Sequence, residues 1–94
     1  MRVRWLPEAW QDTQRRYDFL FKQDPVAAGR VMETLLEGSD RLVDMPDIGR
    51  PMDDDTGRRE CFLPFGTGTY VLRYMIDNEK NVVIIRVWHR REHR

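Results

Sequence analysis

Apolar positions crowd the last third of the chain in two runs, Tyr70-Val71-Leu72-Arg73-Tyr74-Met75-Ile76 and Val82-Val83-Ile84-Ile85-Arg86-Val87-Trp88-His89. The polar stretch Asp77-Asn78-Glu79-Lys80-Asn81 separates them. β-Branched and aromatic residues on both sides of a turn-forming segment predict a β-hairpin. Since nearly every position in both runs is apolar, the pattern predicts central strands covered on both faces, with helices over one of them. Arg73 and Arg86 break the pattern. A guanidinium inside an apolar strand is costly without a partner, so each is expected either in an ion pair, with Glu60 or a helix acid, or on an exposed functional face.

Upstream the periodicity changes twice. Met1-Arg2-Val3-Arg4-Trp5 alternates apolar and basic residues and predicts an edge strand with its arginines in water. Pro7 and Glu8 then suit the first turn of a helix, along which Trp10, Thr13, Tyr17, Leu20 and Phe21 recur at helical spacing. Asp24-Pro25 stops that helix and caps the next. In the second helix Ala28, Val31, Met32, Leu35 and Leu36 form an apolar stripe that keeps its phase through Gly38 to Leu42 and Val43, so the helix is expected to reach Asp44. Met45 to Gly57, with two prolines, two glycines and three consecutive aspartates, reads as a loop. Arg58 to Leu63 reads as a strand ended by Pro64 and a Gly66-Thr67-Gly68 turn. The resulting order, β-α-α-β-β-β, predicts an α+β fold: a helical hairpin packed on a small, largely antiparallel, four-stranded sheet. Trp10, Tyr17, Phe21 and Leu35 are expected to pack on Leu72, Ile76 and Ile84.

Composition narrows the class. Ninety-four residues make one small domain, 1–94, with a modest core that a partner could complete. Sixteen basic and sixteen acidic residues cancel, which argues against a general nucleic-acid coat or a membrane-surface protein. The charges are unevenly spread, with acids between Asp40 and Asp55 and with Arg86, Arg90, Arg91 and Arg94 near the C-terminus. A lone cysteine, Cys61, and two histidines, His89 and His93, predict no internal disulfide, no metal site and no cofactor. Arg2 and Arg4 followed by Trp5, Pro7 and Glu8 predict no signal peptide, and no run of about 20 apolar residues occurs in the sequence. A cytosolic protein without membrane contact is expected.

Four phrases occur in order: Pro46-x-Ile48-Gly49-Arg50-Pro51, then Arg59-Glu60, then Tyr70-Val71-Leu72-Arg73-Tyr74, then Ile84-Ile85-Arg86-Val87-Trp88-His89-x-Arg91-Glu92. Together they resemble toxins of the RelE/ParE superfamily of type II toxin-antitoxin systems, most closely the ParE or plasmid-stabilisation branch, over essentially the whole chain. The resemblance implies a bacterial toxin that a cognate antitoxin, ParD-like or another small one, silences in a toxin–antitoxin hetero-oligomer. It implies growth inhibition by binding DNA gyrase. The alternative is a ribosome-dependent mRNA endonuclease of the RelE or YoeB kind, whose partners are the ribosome and mRNA, with His89 as acid or base and Arg59, Arg73 or Arg86 holding phosphate. His89 matches the histidine of the YoeB-like branch, and Arg59 or Arg58 falls near its strand arginine. Two positions depart: Arg90 stands where a tyrosine follows the histidine, and Met52, beside Asp53, stands where a glutamate follows the Gly-Arg-Pro turn.

Each of these residues also has a plain structural reading. His89 suits a strand-end surface histidine, Trp88 a core or rim aromatic, and Asp53-Asp54-Asp55 a solvated turn. For antitoxin or target contact the candidates are Trp10, Tyr17, Leu20 and Phe21 on the helices, with Arg86, Trp88, Arg90 and Arg91 at the sheet end.

Overall fold

A computed structural model describes residues 2–92. Met1, at the start of the expected first strand, and His93 and Arg94, at the end of the basic tail, lie outside the described residues. The elements are β1 (Val3–Trp5), α1 (Pro7–Phe21), α2 (Pro25–Asp44), β2 (Arg50–Pro51), β3 (Arg59–Phe65), β4 (Gly68–Ile76) and β5 (Val82–His89). The Asp24 carboxylate accepts from the backbone N–H groups of Val26 and Ala27, both at 3.1 Å, so the Asp-Pro pair caps α2 as its chemistry dictates. Gly38 stays inside α2, which runs on to Asp44.

The sheet has five strands, not four, in the order β1-β5-β4-β3-β2. β1 lies parallel to β5, and the remaining pairs are antiparallel. The additional strand is β2, a two-residue stretch inside the expected loop, pairing Arg50 with Glu60 and Pro51 with Arg59. Its Gly-Arg-Pro sequence carries no apolar alternation, so periodicity has nothing to detect there. β3 also runs past Pro64 to Phe65. A two-residue turn, Gly66–Thr67, makes Phe65 and Gly68 a hydrogen-bonded pair, which leaves Pro64 opposite Thr69 with its nitrogen toward the outer edge, where no ladder bond is lost.

Both helices pack on one face. Ala9, Val31, Leu35 and Leu42 meet Leu63, Tyr70, Leu72, Tyr74, Val82, Ile84 and Val87 in the core. Trp10 and Phe21, expected in that core, are 44 % and 49 % exposed. Of the expected stripe Thr13 is buried, and the phase it shares with Ala9 and Asp12 lies about 100° around the helix from Trp10, Tyr17 and Phe21. The second face of the sheet carries no helix. Val71, Val83 and Trp88 are nonetheless buried there, Trp88 with the Arg73 guanidinium over its ring, so the apolar runs reflect two different kinds of burial.

Between Arg73↔Arg86 and Tyr74↔Ile84 the β4–β5 register slips by one, leaving Ile85 unpaired in a β-bulge. The bulge explains why Ile84 and Val87, an odd number of residues apart, both face the helices.

Candidate functional site

Where β1 ends, β5 loses its strand neighbour, and α1 takes over that edge. Leu6 N–H donates to the Ile84 carbonyl at 3.0 Å. Beyond it Asp12, 4 % exposed, accepts from Val87 N–H at 3.0 Å and from Arg86 Nε at 2.7 Å and Nη2 at 2.9 Å. The carboxylate thus does the work of a missing strand, and it holds the Arg86 guanidinium's pKa above its ordinary value. Arg73, opposite Arg86, is matched by its own cross-strand acid, Glu60, at 2.9 Å. Both strand arginines are therefore in ion pairs, one with Glu60 and one with a helix acid.

The open sheet face gathers cations over aromatics. The Arg73 guanidinium lies 4.8 Å from the Trp88 ring centroid, and Arg50 and Arg90 each lie 5.4 Å from that of Phe62. A shallow groove of about 670 Å³ runs along this face between Arg50, Met52, Asp53, Glu60 and Arg73. Met52, which stands where the YoeB-like resemblance would expect a glutamate, and Asp53 one step on both line it.

Arg59 is elsewhere. On the helix side of the sheet, it donates to the carbonyls of Gly49 at 2.7 Å and Asp47 at 3.2 Å. Beside it the buried Tyr74 hydroxyl donates to the Pro46 carbonyl at 2.7 Å and accepts from Gly49 N–H at 2.9 Å. Burial pushes the Tyr74 phenol's pKa up, against the opposing effect of the Gly49 hydrogen bond. Pro46, Gly49 and Arg59 thus act as a clasp that fixes the loop before β2.

His89 occupies the opposite end of that helix-side face, two strands away and four register positions along, a displacement of about 13 Å in the strand direction alone. Its ring meets Tyr70 edge-on at 5.0 Å between centroids. Its Nδ1 accepts from Arg91 N–H at 3.1 Å, which assigns the proton of the neutral ring to Nε2. Burial first, then the charges of Arg16 and Arg91, push the imidazole pKa below its ordinary 6.5. The four residues proposed for catalysis therefore fall into three groups: His89 at one end, Arg59 at the other, and Arg73 with Arg86 in the middle of the sheet.

On α1 the aromatic stripe faces water. Trp10 stacks on Trp5 at 4.5 Å, Tyr17 leans on Phe21 at 5.8 Å, and Leu20 is half-buried at the core's margin. Trp88, with 9 % of its surface exposed, is closer to a core residue than to a platform, whereas Arg90 and Arg91 are exposed. Cys61 is buried, which raises its thiol pKa. Among the described residues no group of three or more His, Cys, Asp or Glu side chains could hold a metal ion.

Sequence reading overlooks Asp12, Arg16, Arg50, Phe62 and the roles of Tyr70 and Tyr74. Asp12 leaves no signal of its own, since it lies away from the aromatic stripe among the polar positions of its helix.

A small helical hairpin on a five-stranded sheet, with its ordered phrases locked into the fold, defines a toxin of the RelE/ParE kind. The chain belongs to the family described as the ParE toxin of the type II toxin-antitoxin system parDE, which matches residues 3–94. It is similar to Toxin RelE1 of Caulobacter vibrioides, 36 % identical over 86 residues that cover 92 % of this chain and 89 % of that protein. Toxin RelE3 of the same organism is 32 % identical over 88 residues, 94 % and 92 % of the two chains. A solved structure, described as the chromosomal ParDE TA system from P. aeruginosa, shares the fold with a TM-score of 0.76 and 22 % identity over 95 % of each chain. No helix among the described residues is long and apolar enough to cross a membrane.

Proposed function

We propose that this toxin arrests growth by binding DNA gyrase rather than by turnover, and that a cognate antitoxin neutralises it. One observation carries the first half: the candidate catalytic cations do not converge. Arg73 and Arg86 are matched by Glu60 and Asp12, and Arg59 is used in the loop clasp. A phosphoryl-transfer site needs donors aimed at one reacting atom, and an imidazole whose Nδ1 already accepts a backbone hydrogen bond is a poor general acid at neutral pH. In a supercoiling assay, excess purified toxin is expected to inhibit gyrase or trap its cleavage complex. Full gyrase activity with no trapped complex would sink this reading.

The second reading, ribosome-dependent mRNA cleavage, draws support from the relatives named as RelE toxins and from the neutral His89 at a cavity rim. Primer extension on mRNA from expressing cells is the discriminator: new, codon-phased 5′ ends that vanish with His89→Ala would establish cleavage in place of gyrase binding.

For the antitoxin, exposed Trp10 and Phe21 with Tyr17 and Leu20 offer an apolar stripe to an amphipathic helix. Arg90 and Arg91, with Arg86 and Trp88 behind them, offer positive charge to an acidic segment. Charge reversal at Arg90 and Arg91 is expected to weaken antitoxin binding more at low salt than at high salt. Affinity that does not respond would remove these arginines from the interface.

A further inference from the structure

A cavity of about 250 Å³ opens between the C-terminal half of α1, the start of α2 and the β3–β4 turn. Its floor is apolar, built from Leu20, Val31 and Phe65, and its rim is basic, with Arg16, His89 and Arg91. Arg16 Nε donates to the Tyr70 hydroxyl at 2.8 Å. That bond fixes the guanidinium and leaves its two terminal nitrogens for another acceptor. Among the described residues neither Arg16 nor Arg91 is in an ion pair; Glu92, on the same turn as Arg91, lines a separate recess with Arg15, Arg16 and Phe19. Arg16, His89 and Arg91 line the same opening, and the His89 ring feels the charges of both arginines, with Glu92 acting more weakly in the opposite sense.

We propose that this cavity receives the C-terminal residue of a partner polypeptide, its free carboxylate between Arg16 and Arg91 and its apolar side chain on Leu20, Val31 and Phe65. Two features select that ligand. Carboxylate and apolar side chain must arrive together in a space below the roughly 300–1,000 Å³ of pockets that enclose a drug-sized molecule. A chain terminus combines both in one residue, whereas an Asp or Glu side chain brings the charge without the apolar part. A nucleotide fits less well, because two of the three floor residues are aliphatic and the Tyr70 ring is buried, edge-on to His89 and with the Arg16 guanidinium over it, which leaves Phe65 as the one aromatic ring of that floor. The proposal refines the antitoxin half of the functional reading and is independent of gyrase.

Fluorescein-labelled hexapeptides ending in Leu, Val or Phe, each as free acid and as C-terminal amide, test it by anisotropy on the full chain. At least one free acid is expected to bind, and its amide to bind at least about tenfold more weakly. The double variant Arg16→Gln/Arg91→Gln is expected to lose a similar factor while keeping the wild-type circular dichroism spectrum. If that variant unfolds, Ala27→Leu, which narrows the same cavity, replaces it with the same expected loss. No binding of any free acid at about 1 mM, equal affinity for acid and amide, or tighter binding of an oligouridylate than of every peptide would overturn the proposal. None of these measurements involves gyrase, so the two readings can fail separately.

Discussion

The two buried tyrosines of β4 stand four residues apart on one face, and their hydroxyls meet different surroundings. Tyr74 donates to one loop carbonyl and accepts from one loop N–H, with Gly49 pressed against it so closely that an added Cβ would fall 2.5 Å from the hydroxyl oxygen. Among the described residues Tyr70 accepts from Arg16 alone, at the wall of a cavity, and the glycine at its end, Gly68, lies under the ring of His89, whose Nε2 an added Cβ would strike. The Tyr74 end spends its hydrogen bonds internally and closes a loop. The Tyr70 end leaves donors over and keeps an opening, which is where a ligand can be recognised.

Substitutions at the two ends should separate accordingly. Gly49→Ala is expected to cost the most, about 3 kcal/mol, because the new methyl group displaces the Tyr74 hydroxyl from both partners; chemical denaturation reads it directly. Tyr74→Phe should follow at about 2 kcal/mol, since it leaves the buried Gly49 N–H without an acceptor. Tyr70→Phe is expected to cost less than about 1 kcal/mol, as the half-exposed Arg16 finds water in its place. Equal losses in the two tyrosine variants would erase the distinction between the ends.

The smallest effect concerns pH. The folded His89 imidazole takes up its proton at lower pH than the unfolded one. Its contribution to stability is therefore complete above the ordinary value of about 6.5 and is lost as pH falls through the folded value. Between pH 7.5 and pH 5, both about where unfolding is conveniently measured, His89→Gln should lose less stability than the wild type. Parallel curves would mean that neither burial nor the charges of Arg16 and Arg91 lower the ring's pKa.

The fold was legible where one physical signal dominates: the Asp24-Pro25 cap, the α2 stripe that carries Gly38 through, and the Asp77–Asn81 turn between two apolar strands. Edge elements were harder. β2 is two residues long and defined by pairing alone, and β3 outruns Pro64 because only register reveals which way a proline nitrogen points. On α1 the large aromatics outweigh Ala9 in a hydropathy reading, yet Ala9 and Thr13 are the small residues that let the helix approach the sheet. The candidate site was read as residue types without positions. Ion pairing of Arg73 and Arg86 could be anticipated, whereas the distance between His89 and Arg59 depends on strand order and register. Arg16 lay hidden as an ordinary charge on a helix.

The unpaired Ile85 has a consequence for how β5 tolerates changes in length. A strand assigns its side chains by parity, so removing one paired residue inverts everything on one side of the cut. Ile85 is a spare count in that scheme. Without it, Ile84 and Val87 would still face the helices, Arg86 and Trp88 would still face away, and His89 would still reach the cavity rim. A chain lacking Ile85 is therefore expected to keep the inside and outside of β5 intact, changing only the bend that brings Arg86 to Asp12.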